Sequence, residues 1–257
     1  MASPTDLSGK RGLVIGIANR DSIAYGCAAA LRAQGASLAV TYLNEKAGAV
    51  VGPLATALGC ELCLPLDVEQ DGQLAALCAA VEARWGRLDF VIHSIAYAPA
   101  ADLHGRVVDC SLQGFQQAMR VSCYSFLEVA RAVEPLLREG GAILTMSFAG
   151  ADRVVPHYNL MGPVKAALQS AVRYAAAELG VKGIRVHALS PGPIRTRAAS
   201  GLAAFDSLLD DAAGRAPLRR VVSIDEVGAL AAFLVSDAAS GLTGNQIFVD
   251  AGYHVMA

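Results

Sequence analysis

Short runs of aliphatic and β-branched residues alternate along this chain with longer Ala- and Leu-rich stretches whose apolar positions recur at helical spacing. The short runs predict strands over residues 12–15, 37–41, 61–64, 90–93, 142–146, 185–189 and 246–249. Most are continuously apolar, the pattern of parallel strands covered on both faces. The longer stretches predict helices over residues 22–34, 72–84, 115–138 and 158–179; in the first, Ile23, Cys27, Ala30 and Leu31 share a face. Repeated βαβ units of this kind predict an α/β protein: a single Rossmann-type, doubly wound domain over residues 1–257 on a seven-stranded parallel sheet. No repeat, low-complexity linker or long charge run suggests a second domain. Such sheets bind ligands beyond the carboxyl ends of their strands, so each loop after a strand is a candidate site.

Composition narrows the picture. Hydrophobic residues make up 54% and charged residues 17%, enough for a large core with apolar surface left to bury between subunits. A formal net charge of −2 and the lack of any basic stripe argue against a nucleic-acid partner. Residues 1–12 lack the apolar stretch of a signal peptide and no run approaches a membrane span, so a cytoplasmic protein without a membrane partner is expected. The six cysteines have no framework spacing. Cys60 and Cys63 invite a zinc or redox reading, but in an alternating strand positions three apart face opposite sides, and no second ligand pair follows. No metal site is expected.

The loop after the first strand carries Gly16, then Ser22 and Ile23 opening the first helix. Gly16 permits a tight turn and close backbone approach, Ser22 suits a helix N-cap, and the amides at Ser22 and Ile23 favour a pyrophosphate. Ala24 and Gly26 are small enough for close packing of helix on sheet. Alone, the loop also reads as a plain glycine turn. After the third strand, the Asp67 carboxylate can accept from an adenine amino group, with Val68 beside it, or cap the next helix. After the fourth, Ser94, Ile95 and Ala96 are small enough for a nicotinamide ribose to lie against backbone. The three loops together support a dinucleotide site.

Tyr158 and Lys165 stand seven residues apart, nearly two turns, which places them on one face of the expected helix. A neighbouring ammonium stabilises a phenolate and improves the phenol as a proton donor, although such pairs also occur as ordinary surface residues.

The chain resembles the short-chain dehydrogenase/reductase superfamily, and within it the bacterial NADH-dependent enoyl-acyl-carrier-protein reductases. The likeness spans essentially the whole chain. It rests on Gly16-x5-Ser22-Ile-Ala-Tyr-Gly26, His93-Ser-Ile95, Tyr158-x6-Lys165, the stretch from Gly192 to Gly201, Ala216-Pro-Leu-Arg-Arg220, and the stretch from Leu242 to Gly252. Alcohol and ketone reductases of the superfamily typically have Tyr-x3-Lys, and position 162 here is glycine.

The resemblance implies NADH as cofactor and an enoyl thioester on an acyl carrier protein as substrate, with Tyr158 hydrogen-bonding the thioester oxygen and Lys165 holding the nicotinamide ribose. It places Gly16, Ser22, Ile23, Leu43, Asp67, Val68, Ser94, Ile95, Lys165, Ile194 and Thr196 at the cofactor. Ala98, Phe148, Tyr158, Ala198 and Phe205 fall at the substrate, under a helical lid around residues 196–215. It further implies a homotetramer, in keeping with the apolar circumference of the two longest helices.

Four positions depart from the family pattern: Phe148 for a tyrosine, Ala96 for a glycine, Pro191 for an alanine and Arg197 for an apolar residue. Arg197, Arg219 and Arg220 would suit docking of an acidic carrier protein, or form a solvated face. A related reductase acting on another activated alkene or a carbonyl, and an NADH-binding protein without turnover, are the alternative readings.

Overall fold

The structure, a computed structural model, describes residues 3–138, 140–196 and 205–256. Seven strands form one parallel sheet: β1 (Arg11–Ile15), β2 (Ser37–Tyr42), β3 (Leu62–Pro65), β4 (Phe90–His93), β5 (Gly141–Met146), β6 (Ile184–Pro191) and β7 (Gln246–Val249). Their order is β3-β2-β1-β4-β5-β6-β7. The chain winds outward from β1 in one direction, then returns to β4 and winds the other way, so β1 and β4 flank the switch point.

The helices are α1 (Ile23–Ala33), α2 (Glu45–Ala57), α3 (Gln73–Trp85), the short α4 (Ala100–Leu103), α5 (Leu112–Met119), α6 (Ser125–Val133), α7 (Met161–Gly180), α8 (Phe205–Arg215) and α9 (Ile224–Val235). One apolar layer joins the sheet to α3, α6 and α7 through Leu77, Phe126, Val129, Leu168 and Val172. The other joins it to α1 and α9 through Cys27, Leu31, Val227 and Leu234. Both layers bury continuous strand faces, as the uninterrupted apolar runs require.

Several elements differ from the sequence expectation. The stretch 115–138 is not one helix: a π-helical turn over Arg120–Tyr124 separates α5 from α6, and a 3-10 turn ends it. Tyr158 does not lie in α7, which starts at Met161; it sits in a preceding turn with His157 and Asn159 at positive φ. Tyr158 and Lys165 therefore do not share a helix face. Neither α2 nor α9 was expected, although Ser223 and Glu226 form a full capping box at the start of α9 and spell its S-x-x-E signature. Gly26 serves that helix rather than the sheet. A Cβ on Gly26 would fall 2.5 Å from the Ile224 carbonyl oxygen, and one on Gly228 would fall 2.4 Å from that of Gly26.

Candidate active site

At the switch point the loops after β1 and β4 touch. Gly16 has φ 104°, and a Cβ there would lie 2.0 Å from the Ser94 carbonyl oxygen, so only glycine fits. The Ser94 amide donates to the Ile15 carbonyl at 3.0 Å. Ser22 caps α1 as expected: its hydroxyl oxygen accepts from the Tyr25 amide at 3.4 Å and donates to the Asn19 carbonyl at 2.7 Å. Ile23 is the first helical residue. The amides opening α1, beside the loop that Gly16 lets pack against Ser94, fit a dinucleotide pyrophosphate.

Further along the same edge, Leu43 is exposed just after β2, and the Asn44 side chain caps α2 by accepting from the Ala47 amide at 3.0 Å. Asp67 is not a helix cap, since Gly72 occupies the N-cap of α3. Its Oδ1 accepts from the Glu69 amide at 2.9 Å, and its own amide donates to Gln73 Oε1 at 2.7 Å. The Val68 carbonyl accepts from Arg120 at 2.6 Å. Ser94, Ile95 and Ala98 are half-buried.

Tyr158 is built into its place by two neighbours. A Cβ on Gly150 would lie 2.4 Å from Tyr158 Cδ1, and the Phe148 ring packs at a centroid distance of 4.7 Å. Burial raises the Tyr158 pKa above its ordinary 10. This corrects the expectation that an adjacent ammonium would lower it: the phenol is held neutral, as a donor.

Lys165 is buried on α7, and its Nζ donates to the Met146 carbonyl at the end of β5, at 2.7 Å. Burial depresses its pKa to about 8, opposed by the nearby Cys123 thiol. Its charge acts instead on His93, which burial and then Lys165 pull down to about 3.

Ile194 packs between two apolar clusters beyond β6, Thr196 is half-buried, and Phe205 is buried at the start of α8. Ala198 and Arg197 lie outside the described residues, as does part of the expected lid. What holds α8 was not legible in the sequence. The Tyr253 hydroxyl donates to Asp211 Oδ2 at 2.6 Å, and Arg153 donates to the carbonyls of Tyr253, His254 and Met256 at 2.9–3.1 Å. These contacts link α8, the C-terminal turn and the loop leading to Tyr158.

Arg219 and Arg220 are exposed and each makes a contact within the chain. Arg220 makes a two-pronged pair with Glu226 at 2.7 and 2.9 Å, and Arg219 donates to the Gly214 carbonyl. Cys60 and Cys63 do not face opposite sides: Cys60 precedes β3, and both thiols line one cleft of about 480 Å³ with Tyr42 and Glu45. Burial pushes Cys60 up to about 11.

Residues 16–254 match the family model described as enoyl-(acyl carrier protein) reductase. The chain belongs to this family. It is 45% identical over 249 residues to enoyl-(acyl-carrier-protein) reductase (NADH) 2 of Rhizobium meliloti, covering 97% of this chain and 93% of that protein. The enoyl-(acyl-carrier-protein) reductase of Anaplasma phagocytophilum, solved in complex with NAD, is 46% identical with a TM-score of 0.94, covering 98% of this chain and 96% of that one. The enoyl-acyl carrier protein reductase of Bacillus cereus, solved with NADP+ and indole naphthyridinone, is 44% identical with a TM-score of 0.96, covering 98% of this chain and 99% of that one.

Proposed function

We propose that this protein catalyses NADH-dependent reduction of the trans-2 double bond of enoyl-acyl-carrier-protein thioesters, as in bacterial type II fatty-acid synthesis. The observation that carries the reading is a neutral, half-buried Tyr158 phenol beside Phe148, set with buried Lys165 beyond the carboxyl ends of the strands in a chain of this family. When bound, NADH supplies the hydride that adds to the β-carbon of the enoyl thioester.

Gly16, Ser22 and Ile23 would hold the pyrophosphate, Leu43, Asp67 and Val68 the adenosine end, and Ser94, Ile95, Ile194 and Thr196 the nicotinamide end. Lys165 would bind the ribose hydroxyls. Tyr158 would donate to the thioester oxygen as negative charge develops there, so its retained proton is the useful property. Phe148, Ala98 and Phe205 would line the acyl path, with α8 as part of its cover. NADH oxidation assayed with crotonyl and longer enoyl thioesters, beside a ketone panel, tests the reading. Reduction of the ketones alone overturns it in favour of a changed substrate, the alternative that the missing hydroxyl at Phe148 favours.

The cofactor preference follows from the loop after β2. Leu43, Asn44 and Glu45 place no cation in its first positions, and Glu45 would repel a 2′-phosphate. Catalytic efficiency with NADPH is expected to be at least roughly tenfold below that with NADH; parity in steady-state assays would refute this.

The assembly would be a homotetramer. Tyr124 and Leu127 on one helical run and Tyr174 on α7 remain exposed in the single chain. Light scattering is expected to report four subunits, and a stable monomer at micromolar concentration would exclude it. Among the described residues no helix is long and apolar enough to cross a membrane; a cytoplasmic location is part of the same proposal.

A further inference from the structure

His93 ends β4 with its ring fully buried, and both ring nitrogens are engaged. Nδ1 lies 2.9 Å from Thr145 Oγ1 and Nε2 lies 2.9 Å from Ser125 Oγ. The Ser125 hydroxyl donates its proton to the Val121 carbonyl at 2.6 Å. Its oxygen therefore accepts from Nε2–H, which leaves Nδ1 to accept from Thr145. One tautomer satisfies every partner.

Two chains of contacts leave this ring. On one side, Thr145 precedes Met146, whose carbonyl receives the Lys165 ammonium. On the other, Val121 belongs to the π-helical turn, and the next residue is the fully buried Ser122. The Ser122 hydroxyl accepts from the Tyr97 amide and donates to the Tyr97 carbonyl, each at 2.8 Å. It thereby grips the backbone of the loop that carries Ser94 and Ile95. Phe126 packs edge-on against the imidazole at 5.9 Å, so an aromatic ring alone would fill the same space. Filling space does not explain the two directed hydrogen bonds.

We propose that His93 is a positioning residue for cofactor binding: by bridging Thr145 and Ser125 it sets both the strand end that anchors Lys165 and the turn that holds the loop after β4. The inference rests on the cofactor assignment proposed above. The ring stays neutral at every pH near neutrality, since its pKa is drawn far below 6.5 by burial and by Lys165, and its hydrogen-bond partners fix the tautomer.

Thr145→Val and Ser125→Ala each cut one arm at nearly constant volume, and His93→Phe cuts both. The primary readout is the Kd for NADH from its fluorescence on binding, with kcat at saturating cofactor and the melting temperature measured alongside. Each single-arm variant is expected to weaken NADH binding roughly fivefold, the effect of one lost hydrogen bond, while kcat stays within about twofold. His93→Gln, whose amide N–H reaches toward Ser125, is expected to recover part of the loss seen in His93→Phe. A purely structural histidine would lower the melting temperature and leave the Kd unchanged. Wild-type Kd in folded Thr145→Val and Ser125→Ala overturns the proposal, even if His93→Phe fails to fold. Wild-type protein that binds NADH yet reduces no enoyl thioester would count against the proposed function alone, because the Kd comparison still decides the role of His93.

Discussion

Tyr158→Phe is expected to lower kcat for enoyl reduction by two to three orders of magnitude while leaving the Kd for NADH nearly unchanged. Removing one donor aimed at a developing oxyanion typically costs about 3–4 kcal/mol of transition-state stabilisation. The substitution leaves the ring against Gly150 and Phe148, so packing is preserved and the hydroxyl alone is tested. Because the phenol pKa is raised, the wild-type donor keeps its proton across the assayed range, and no loss of rate below pH 10 should trace to its ionisation. Pre-steady-state turnover with a saturating enoyl thioester is the decisive measurement. Near-normal turnover in the variant would remove Tyr158 from the chemistry.

Lys165→Met is expected to weaken NADH binding and also to change how the cofactor-free protein responds to pH. The wild-type ammonium is buried, and its pKa falls from 10.5 to about 8 on folding. Between those values the unfolded chain binds more protons than the native state, so stability rises with pH there. The shift corresponds to a penalty of about 3 kcal/mol, present in full below pH 8 and relieved as pH approaches 10.5. The buried thiols of Cys27 and Cys60 act in the opposite sense above pH 9, because their native pKa values are raised. Subtracting the variant's urea-unfolding curve from the wild-type curve at each pH cancels those thiols. The difference should move by about 3 kcal/mol in favour of the wild type between pH 8 and 10.5. A flat difference would mean that the lysine is not a destabilising buried charge.

Legibility from sequence followed the range of the interactions involved. The strands were readable because most are continuous apolar runs, and all seven appear within two residues of the expected ends. The Gly16 turn and the Ser22 cap were readable because capping and left-handed backbone are local choices. The start of α7 was not, because apolar spacing continues through Tyr158 while the backbone turns at His157 and Asn159. The π turn was equally hidden, since its evidence is the hydroxyl bonding of Ser122 and Ser125 to groups distant in sequence or along the helix. The raised pKa of Tyr158 was hidden for the same reason: it comes from burial, and the Lys165 ammonium is directed instead at Met146 and His93. The Arg153 contacts to the last turn join residues about a hundred positions apart, which no local pattern records.

The contact between Gly26 and Gly228 bears on how this sequence can drift. Each glycine leaves no room for a methyl group against the facing backbone, at 2.5 Å on one side and 2.4 Å on the other. Alanine at either position alone would push α1 and α9 apart and strain the layer that Cys27, Leu31 and Val227 fill. A path away from either glycine therefore needs a prior loosening of the two helices, which substitutions elsewhere in the layer must supply.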